Sequence, residues 1–390
     1  MDFEEQVISY PPVHPGTDRT FIRFYSGGGD LDAMFYAAGS ESRPQRVFVT
    51  DETVSSLDAV RPFVSGFHGD GLPVAGFVGT RGSDVLVVLG AGEPFKTIGS
   101  VLSVVKAALD HNAQRSAVFV GIGGGVVTDM TAFAASIFKR GARCELVPTT
   151  LLSMVDAAVG GKTGCDFDTY KNMIGSFFPA QKVHVCPAFI GSLPFREYRS
   201  GMAEVVKTAL LYSPGLFGKL EGCPQILEDR SHPLVGEAIR VCVGAKAGVV
   251  EQDLTEKGIR MQLNLGHTFA HALETKAGLG VVTHGDAVAW GMARAAALSR
   301  AVGLCSDEYV RRVGKCLSSF GWETGPVHSA LAEQCGKGAD VARILFDAMK
   351  KDKKNSSSNV RFVLQEDVGK TVVAEVDEST VCSVLRQNGA

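Results

Sequence analysis

His267 and His271 stand four residues apart in Leu263-Asn264-Leu265-Gly266-His267-Thr268-Phe269-Ala270-His271, so a helix through them carries both imidazoles on one face. His284 follows after a turn containing Gly278 and Gly280. Any one of the three, taken alone, reads sooner as a hydrogen-bonded core or surface histidine. Together, beside Asn264 and Arg260, they predict a divalent-metal site with nitrogen ligands, which zinc, cobalt and iron would all fit.

Glu204 and Lys207 interrupt the apolar stretch Ser200–Leu211 three residues apart and are therefore neighbours on a helix. Two readings are open: a buried ion pair, or a carboxylate ligand beside a phosphate-binding ammonium. Lys162, framed by glycines in the expected loop Asp156-Ala157-Ala158-Val159-Gly160-Gly161-Lys162-Thr163-Gly164, poses the same alternatives. Gly121-Ile122-Gly123-Gly124-Gly125 follows an apolar strand and opens a helical segment, Val126 to Lys139. Such a turn lets a diphosphate reach the backbone and the helix N-terminus, or simply allows tight packing. Val126 and Val127 depart from the usual G-x-G-x-x-G fingerprint. Gly90-Ala91-Gly92-Glu93, with Lys96 close behind, offers a further phosphate or ribose contact.

Elements of two textures must position these groups. In the first half, strand-like runs (Arg46 to Thr50, Asp84 to Leu89, Ala117 to Gly121) alternate with amphipathic stretches such as Lys96 to His111, predicting a doubly wound, mostly parallel α/β sheet. From about Arg196 helical spacing takes over, in Tyr198–Leu211, Val235–Glu251, His267–Lys276 and Asp286–Val302. The boundary is therefore expected near residue 190, with an α/β domain over 1–190 and a mainly helical one over 191–390. The tract Lys350–Asn359 reads as a solvated loop. Residues 1–45 carry no functional signal.

With 390 residues, 45% hydrophobic and 21% charged, the chain can bury substantial cores. A net charge of −3 argues against nucleic acid or acidic membranes as partners. Nine scattered cysteines without a C-x-x-C pair read as reduced thiols. With an acidic N-terminus and no run long enough to span a membrane, they predict a cytoplasmic protein.

In order and spacing these segments resemble the 3-dehydroquinate synthases. The resemblance runs from about Gly90 to Lys354 and is carried by Gly123-Gly124-Gly125-Val126-Val127-Thr128-Asp129, Val147-Pro148-Thr149-Thr150, Gly160-Gly161-Lys162-Thr163-Gly164 and Lys171-Asn172-Met173-Ile174-Gly175. Leu193-Pro194-Phe195-Arg196-Glu197, Gly201 to Lys207, Asn264 to His271 and Asp352-Lys353-Lys354 continue it. The resemblance implies an N-terminal NAD-binding domain, a helical metal-binding domain and an active site in the cleft between them. Its implied metal ligands are Glu204, His267 and His284 for Zn2+ or Co2+, which turns His271 into a substrate contact. The implied NAD contacts are Asp51, Glu93, Lys96, Gly124, Gly125, Asp129, Thr149, Thr150, Lys171 and Glu197. The implied substrate contacts are Asp156, Lys162, Asn172, Lys207, Lys246, Arg260, Asn264, His271 and Lys353, with Arg140 lent across a homodimer interface.

The substrate so implied, 3-deoxy-D-arabino-heptulosonate 7-phosphate, carries a phosphate and a carboxylate, which the five cations Lys162, Lys207, Lys246, Arg260 and Lys353 suit, while asparagines can read its hydroxyls. The implied reaction is a transient oxidation by NAD, elimination of phosphate, re-reduction, ring opening and an intramolecular aldol closure. Lys162 and His271 are the candidates for handling phosphate and protons. Departures from the family pattern are the expected loop Cys165 to Tyr170, where Asn-His-Pro and a later Gly are usual, Asp286 for a usual Glu, and Thr128 and Ala270 for glycines. Cyclases with other products typically change the positions of His271, Asn264 or Lys207, all retained here. The alternatives are another sugar-phosphate cyclase, a metal-dependent polyol dehydrogenase of the same architecture, which the cation set opposes, and a silent scaffold, which the retained ligands oppose.

Overall fold

Strand residues Val47 to Asp51, Asp84 to Leu89 and Val118 to Gly123 are buried along their whole length, as strands covered on both faces must be. In the computed structural model they belong to the first of two compact units, Met1–Leu193 with Lys246–Thr255; the second is Pro194–Ala245 with Glu256–Ala390. The structure describes the chain apart from residues 12–17, 38–42, 169, 279, 336–338, 353–358 and 387–390.

The strands of the first unit are β1 (Phe3–Ser9), β2 (Arg19–Tyr25), β3 (Arg46–Asp51), β4 (Val78–Arg81), β5 (Asp84–Leu89), β6 (Val118–Gly123), β7 (Arg143–Pro148), β8 (Lys162–Phe167), β9 (Tyr170–Phe177) and β10 (Lys182–Val185). Eight of them form one sheet in the order β1-β2-β10-β7-β6-β3-β5-β4. The six inner strands run parallel, and β1 and β4 close the edges antiparallel. The register sets Val47 of β3 between Val85 and Phe119. Helices Ile98–Asp110 and Gly125–Ile137 pack on this sheet. Phe48 anchors an aromatic cluster, its ring 5.0 Å from Phe63, 5.2 Å from Phe35 and 5.7 Å from Phe67. The segment expected as a loop around Lys162 to Tyr170 is instead a hairpin, β8 against β9.

The second unit is helical, as its spacing predicts, with one hairpin, β11 (Val360–Asp367) and β12 (Lys370–Val376). Its central helix, His284–Ala301, is buried on nearly every side and packs on helices Phe195–Tyr212, His267–Ala277 and Asp307–Ser319. Gln365 ties β11 into this bundle: its side chain donates to the Leu210 carbonyl (2.8 Å) and accepts from the Tyr309 hydroxyl (2.6 Å). Two boundaries differ from expectation. Lys246–Thr255 clusters with the first unit, and Lys350 to Asp352 complete helix Val341–Asp352 rather than opening a loop. No described helix is long and apolar enough to cross a membrane.

Across strands β7 and β10, Glu145 accepts from Lys182 Nζ (2.9 Å) and His184 Nε2 (3.0 Å), while His184 Nδ1 meets the Tyr25 hydroxyl at 2.8 Å. Burial by itself would raise the Glu145 carboxyl, but His184 and Lys182 outweigh it and hold it down to about 2. A carboxyl held below its usual 4.5 contributes stability that is present above that pH and disappears as pH falls toward 2. Glu145→Gln is therefore expected to lower the thermal midpoint at pH 7 and to flatten its fall between about pH 4.5 and 2, read by scanning calorimetry. A variant whose acid slope matches that of the parent would show that this pair does not govern acid stability.

Candidate active site

In the second unit, Glu204 comes from helix Phe195–Tyr212, His267 opens helix His267–Ala277, and His284 opens helix His284–Ala301. One donor atom from each lies within 4.8 Å of the others, a group that could hold a metal ion. Their convergence rests on close backbone contacts. A side chain at Gly285 would put its Cβ 2.2 Å from the Ser200 carbonyl oxygen, and one at Gly291 would stand 2.1 Å from that of Gly266. Gly266 itself is left-handed (φ 78°) and starts the His267 helix. Thr283 caps the His284 helix by accepting from Asp286 N–H (3.0 Å), and the Gly285 N–H donates to Ser200 Oγ (3.0 Å). The shorter Asp286 side chain reaches Arg199 at 2.7 Å.

The spacing suits a cation. Two ligands each about 2.1 Å from one tetrahedral ion stand roughly 3.4 Å apart; Glu204 Oε1 lies 3.5 Å from His284 Nε2 and 3.8 Å from His267 Nε2. Lys207 pairs with the other oxygen of Glu204, and both side chains are almost wholly buried. Burial, together with the Lys207 charge, pushes His267 down to about 3, so its ring is neutral and its lone pair free to ligate. Burial opposes protonation of His284 too, but Glu204 and Glu274 outweigh it and raise that imidazole to about 10. Ion binding here would therefore release a proton. His271 stands outside this group, exposed, with its ring centroid 5.5 Å from that of His267.

Close by in the sequence, the turn of 3-10 helix Ile259–Asn264 carries Arg260, which is 1% exposed, and Asn264, whose amide donates to Glu256 Oε1 at 2.9 Å. Glu256 was not singled out from sequence; its left-handed backbone (φ 58°) is unusual for a glutamate. Glu274, 3.6 Å from His284 Nδ1, was also missed, although it lies two helical turns after His267 and so on the same face.

In the first unit, candidate cofactor contacts collect at the carboxyl ends of neighbouring parallel strands: Asp51 ending β3, Glu93 and Lys96 after β5, Gly124 and Gly125 after β6, Thr149 and Thr150 after β7. That end of a parallel sheet is where α/β folds bind ligands. Gly124 is the N-cap of helix Gly125–Ile137 and offers no side chain, leaving the first N–H donors of the helix to an anion. Asp51 spends one carboxylate oxygen on the Val54 N–H (2.8 Å). Lys96 Nζ donates to Asp129 (2.7 Å) and to Asn172 Oδ1 (2.6 Å), and Lys171 lies 3.9 Å from Glu93. Lys246 donates to both the side chain (2.6 Å) and the carbonyl (2.5 Å) of Asp156. Lys162, exposed, begins β8.

Three expected positions stand apart. Glu197 is exposed on the first turn of helix Phe195–Tyr212 and belongs to the second unit, unlike the other cofactor candidates. Arg140 is exposed just past helix Gly125–Ile137, where Lys139 and Arg140 are both left-handed (φ 47° and 65°). Lys353 lies outside the described residues.

Comparison with known proteins gives the same family over both halves. The family described as 3-dehydroquinate synthase N-terminal matches residues 86–200, and that described as 3-dehydroquinate synthase C-terminal matches residues 201–355. The 3-dehydroquinate synthase of Rippkaea orientalis is 35% identical over 328 residues, covering 83% of this chain and 86% of that one. That of Shewanella sp. strain MR-4 is 39% identical over 300 residues, covering 77% and 81%. Among solved structures, the 2-epi-5-epi-valiolone synthase ValA of Streptomyces hygroscopicus, with NAD+ and Zn2+ bound, superposes with a TM-score of 0.77 at 26% identity over 93% of this chain and 95% of that one. A 2-deoxy-scyllo-inosose synthase complexed with carbaglucose-6-phosphate, NAD+ and Co2+ shares the fold, with a TM-score of 0.78 at 22% identity over 99% and 100%.

Outer partners of metal-binding imidazoles typically tune affinity by about 10- to 100-fold. Glu274→Ala is expected to weaken Zn2+ binding to that extent, measured by competition with a chromophoric chelator. An unchanged affinity would mean that the His284 ring is oriented by something else.

Proposed function

We propose that this chain, which belongs to the 3-dehydroquinate synthase family, converts 3-deoxy-D-arabino-heptulosonate 7-phosphate to 3-dehydroquinate and phosphate, as a carbon–oxygen lyase that uses NAD and Zn2+ or Co2+. The observation that carries the reading is the convergence of half-buried His267 and His284 on buried Glu204, with Lys207 against Glu204. A divalent ion held by those three would acidify a substrate alcohol and polarise the ketone formed from it, and NAD would take up and return the hydride.

The remaining work falls to the chain's own side chains. The N–H donors that open helix Gly125–Ile137 receive the NAD diphosphate, with Lys96, Asp129, Thr149, Thr150, Lys171 and Glu93 around it. Glu197 and Asp51 complete the cofactor set. Lys162, Lys207, Lys246, Arg260 and Lys353 oppose the phosphate and carboxylate of the substrate, while Asn172, Asn264 and Asp156 fix its hydroxyls. A ketone formed from the alcohol acidifies the neighbouring C–H, and loss of that proton lets phosphate depart by elimination; His271 and Lys162 receive and return the protons. Positioning and fixed charge carry most of the catalysis. The enzyme works as a cytoplasmic homodimer in which Arg140 reaches the partner's substrate; its exposed, left-handed setting supports that assignment.

The test is phosphate release from this substrate with catalytic NAD and zinc or cobalt. Phosphate without net NADH, abolished by a chelator, is the expected result; steady NADH accumulation would move the chain to the polyol dehydrogenases. Glu204→Ala is expected to abolish metal retention and turnover while leaving NAD binding measurable, and an active, metal-free variant would remove Glu204 from the ligand set. Lys207→Ala is expected to raise KM for substrate by about 10- to 100-fold, the worth of one charge-assisted hydrogen bond, while NAD affinity holds. A KM that stays put would take Lys207 out of substrate binding.

A further inference from the structure

The hairpin of β8 and β9 is irregular at one place. Cys165 faces Ile174 and Phe167 faces Tyr170, so a single residue of β8, Asp166, stands opposite three of β9: Lys171, Asn172 and Met173. The three must arch away from the ladder, and Asn172 at the apex is left-handed (φ 53°). Irregularities of this kind re-aim side chains beside binding sites. Here the arch presents Lys171 and Asn172, both in the proposed site.

Asp166 holds the arch from beneath. Its carboxylate Oδ1 accepts the Asn172 N–H at 2.7 Å. Its own N–H, released from the β8–β9 ladder, donates to the Lys96 carbonyl at 2.7 Å, and Asp166 bridges Thr97 in parallel register. The Lys96 ammonium then donates to Asn172 Oδ1 at 2.6 Å and to Asp129 at 2.7 Å. The contacts close on themselves: Asp166 grips the backbones of Asn172 and Lys96, and the side chains of those two grip each other. A left-handed non-glycine residue is strained and persists only where its surroundings over-determine it; the carboxylate–amide bond and the Lys96 bond do so here.

We propose that Asp166 is a positioning residue for both substrate and NAD, setting Asn172, Lys171 and Lys96 in their working geometry without touching either ligand. The proposal rests on the assignment of Asn172 to substrate and of Lys96 and Lys171 to NAD. Losing a hydrogen bond to a charged group costs about 10- to 100-fold in a binding constant.

Three holoenzyme variants test it: Asp166→Ala, Asp166→Asn and Asn172→Ala. Steady-state phosphate release, NAD affinity, Zn2+ affinity and amide exchange of the peptide spanning residues 170–177 are measured for each. Asp166→Ala is expected to speed exchange in that peptide, to raise KM for substrate by about 10- to 100-fold, to weaken NAD binding, and to leave Zn2+ affinity as in the parent. Asp166→Asn keeps an acceptor oxygen under the Asn172 amide and is expected to restore most of each. Unchanged exchange and KM in Asp166→Ala would overturn the proposal, as would an Asp166→Asn as impaired as the alanine variant, because the carboxylate charge and not its acceptor role would then matter. Asn172→Ala tests the site assignment separately: full activity there would remove Asn172 from substrate binding, whereas faster exchange in Asp166→Ala alone still upholds the clamp.

Discussion

A carboxylate whose side chain is 1% exposed is tolerable only with positive charge or N–H donors packed around it. Glu204 meets that demand with an ammonium one turn along its own helix and with imidazoles from two others. The demand dictates how near three helices must come. Gly285 against Ser200 and Gly291 against Gly266 let them do so, and a methyl group at either place would collide with backbone. Packing and metal geometry are thus one problem in the second unit: the backbone approaches that seal the core also set the separation of the donor atoms.

The first unit solves a different problem, the gathering of helix N–H donors and small side chains at one edge of a sheet. A parallel sheet supplies it through strand ends that all point one way. β3, β5, β6 and β7 are neighbours in the sheet, and the candidate residues that follow them stand at the same edge although their sequence positions are spread from Asp51 to Thr150. No single motif among them is decisive. Gly123-Gly124-Gly125 departs from the common dinucleotide fingerprint, and its meaning comes from the helix it opens and from Thr149, whose N–H donates to the Gly123 carbonyl at 2.9 Å.

What could be read from sequence follows from the range over which each interaction acts. Helices His267–Ala277 and His284–Ala301 and the buried strands are visible in local periodicity, within a residue or two at their ends. The alternation of strands and helices carries the α/β class, and helical spacing carries the second unit. Three histidines at short spacing signal a metal group, yet spacing cannot join them to Glu204, sixty-three positions before His267; its own helix left it open between ion pair and ligand, the family resemblance chose the ligand, and the geometry brings the atoms together. The β8–β9 hairpin looked like a loop because Gly164, Asp168 and Asn172 interrupt its alternation, and two of these, Asp168 and Asn172, have left-handed backbones that no propensity scale anticipates. The roles of Asp166 and Glu256 were not legible for a related reason: each acts on a backbone or amide group within a local fold of the chain whose shape has first to be known.

The charge pattern explains why composition was silent about an anionic substrate. Lys96 is paired with Asp129, Lys171 with Glu93, Lys207 with Glu204 and Lys246 with Asp156, so two of the proposed NAD contacts and two of the proposed substrate cations carry their own counter-charge in the folded chain. A net charge of −3 is what remains after such pairing, and it conceals the cations from any global count. The arrangement has a physical advantage over bare cations. A buried lysine without a partner would shed its proton, whereas one beside a carboxylate stays charged and in place, as at Lys96, where burial opposes the charge and Asp129 with Glu93 outweighs it. A cation held in this way would meet a phosphate or carboxylate without first being ordered or ionised. Preorganisation of this kind would let a mildly acidic protein bind a multiply charged anion, and it would tie the affinity of the proposed site to its carboxylates as closely as to its lysines.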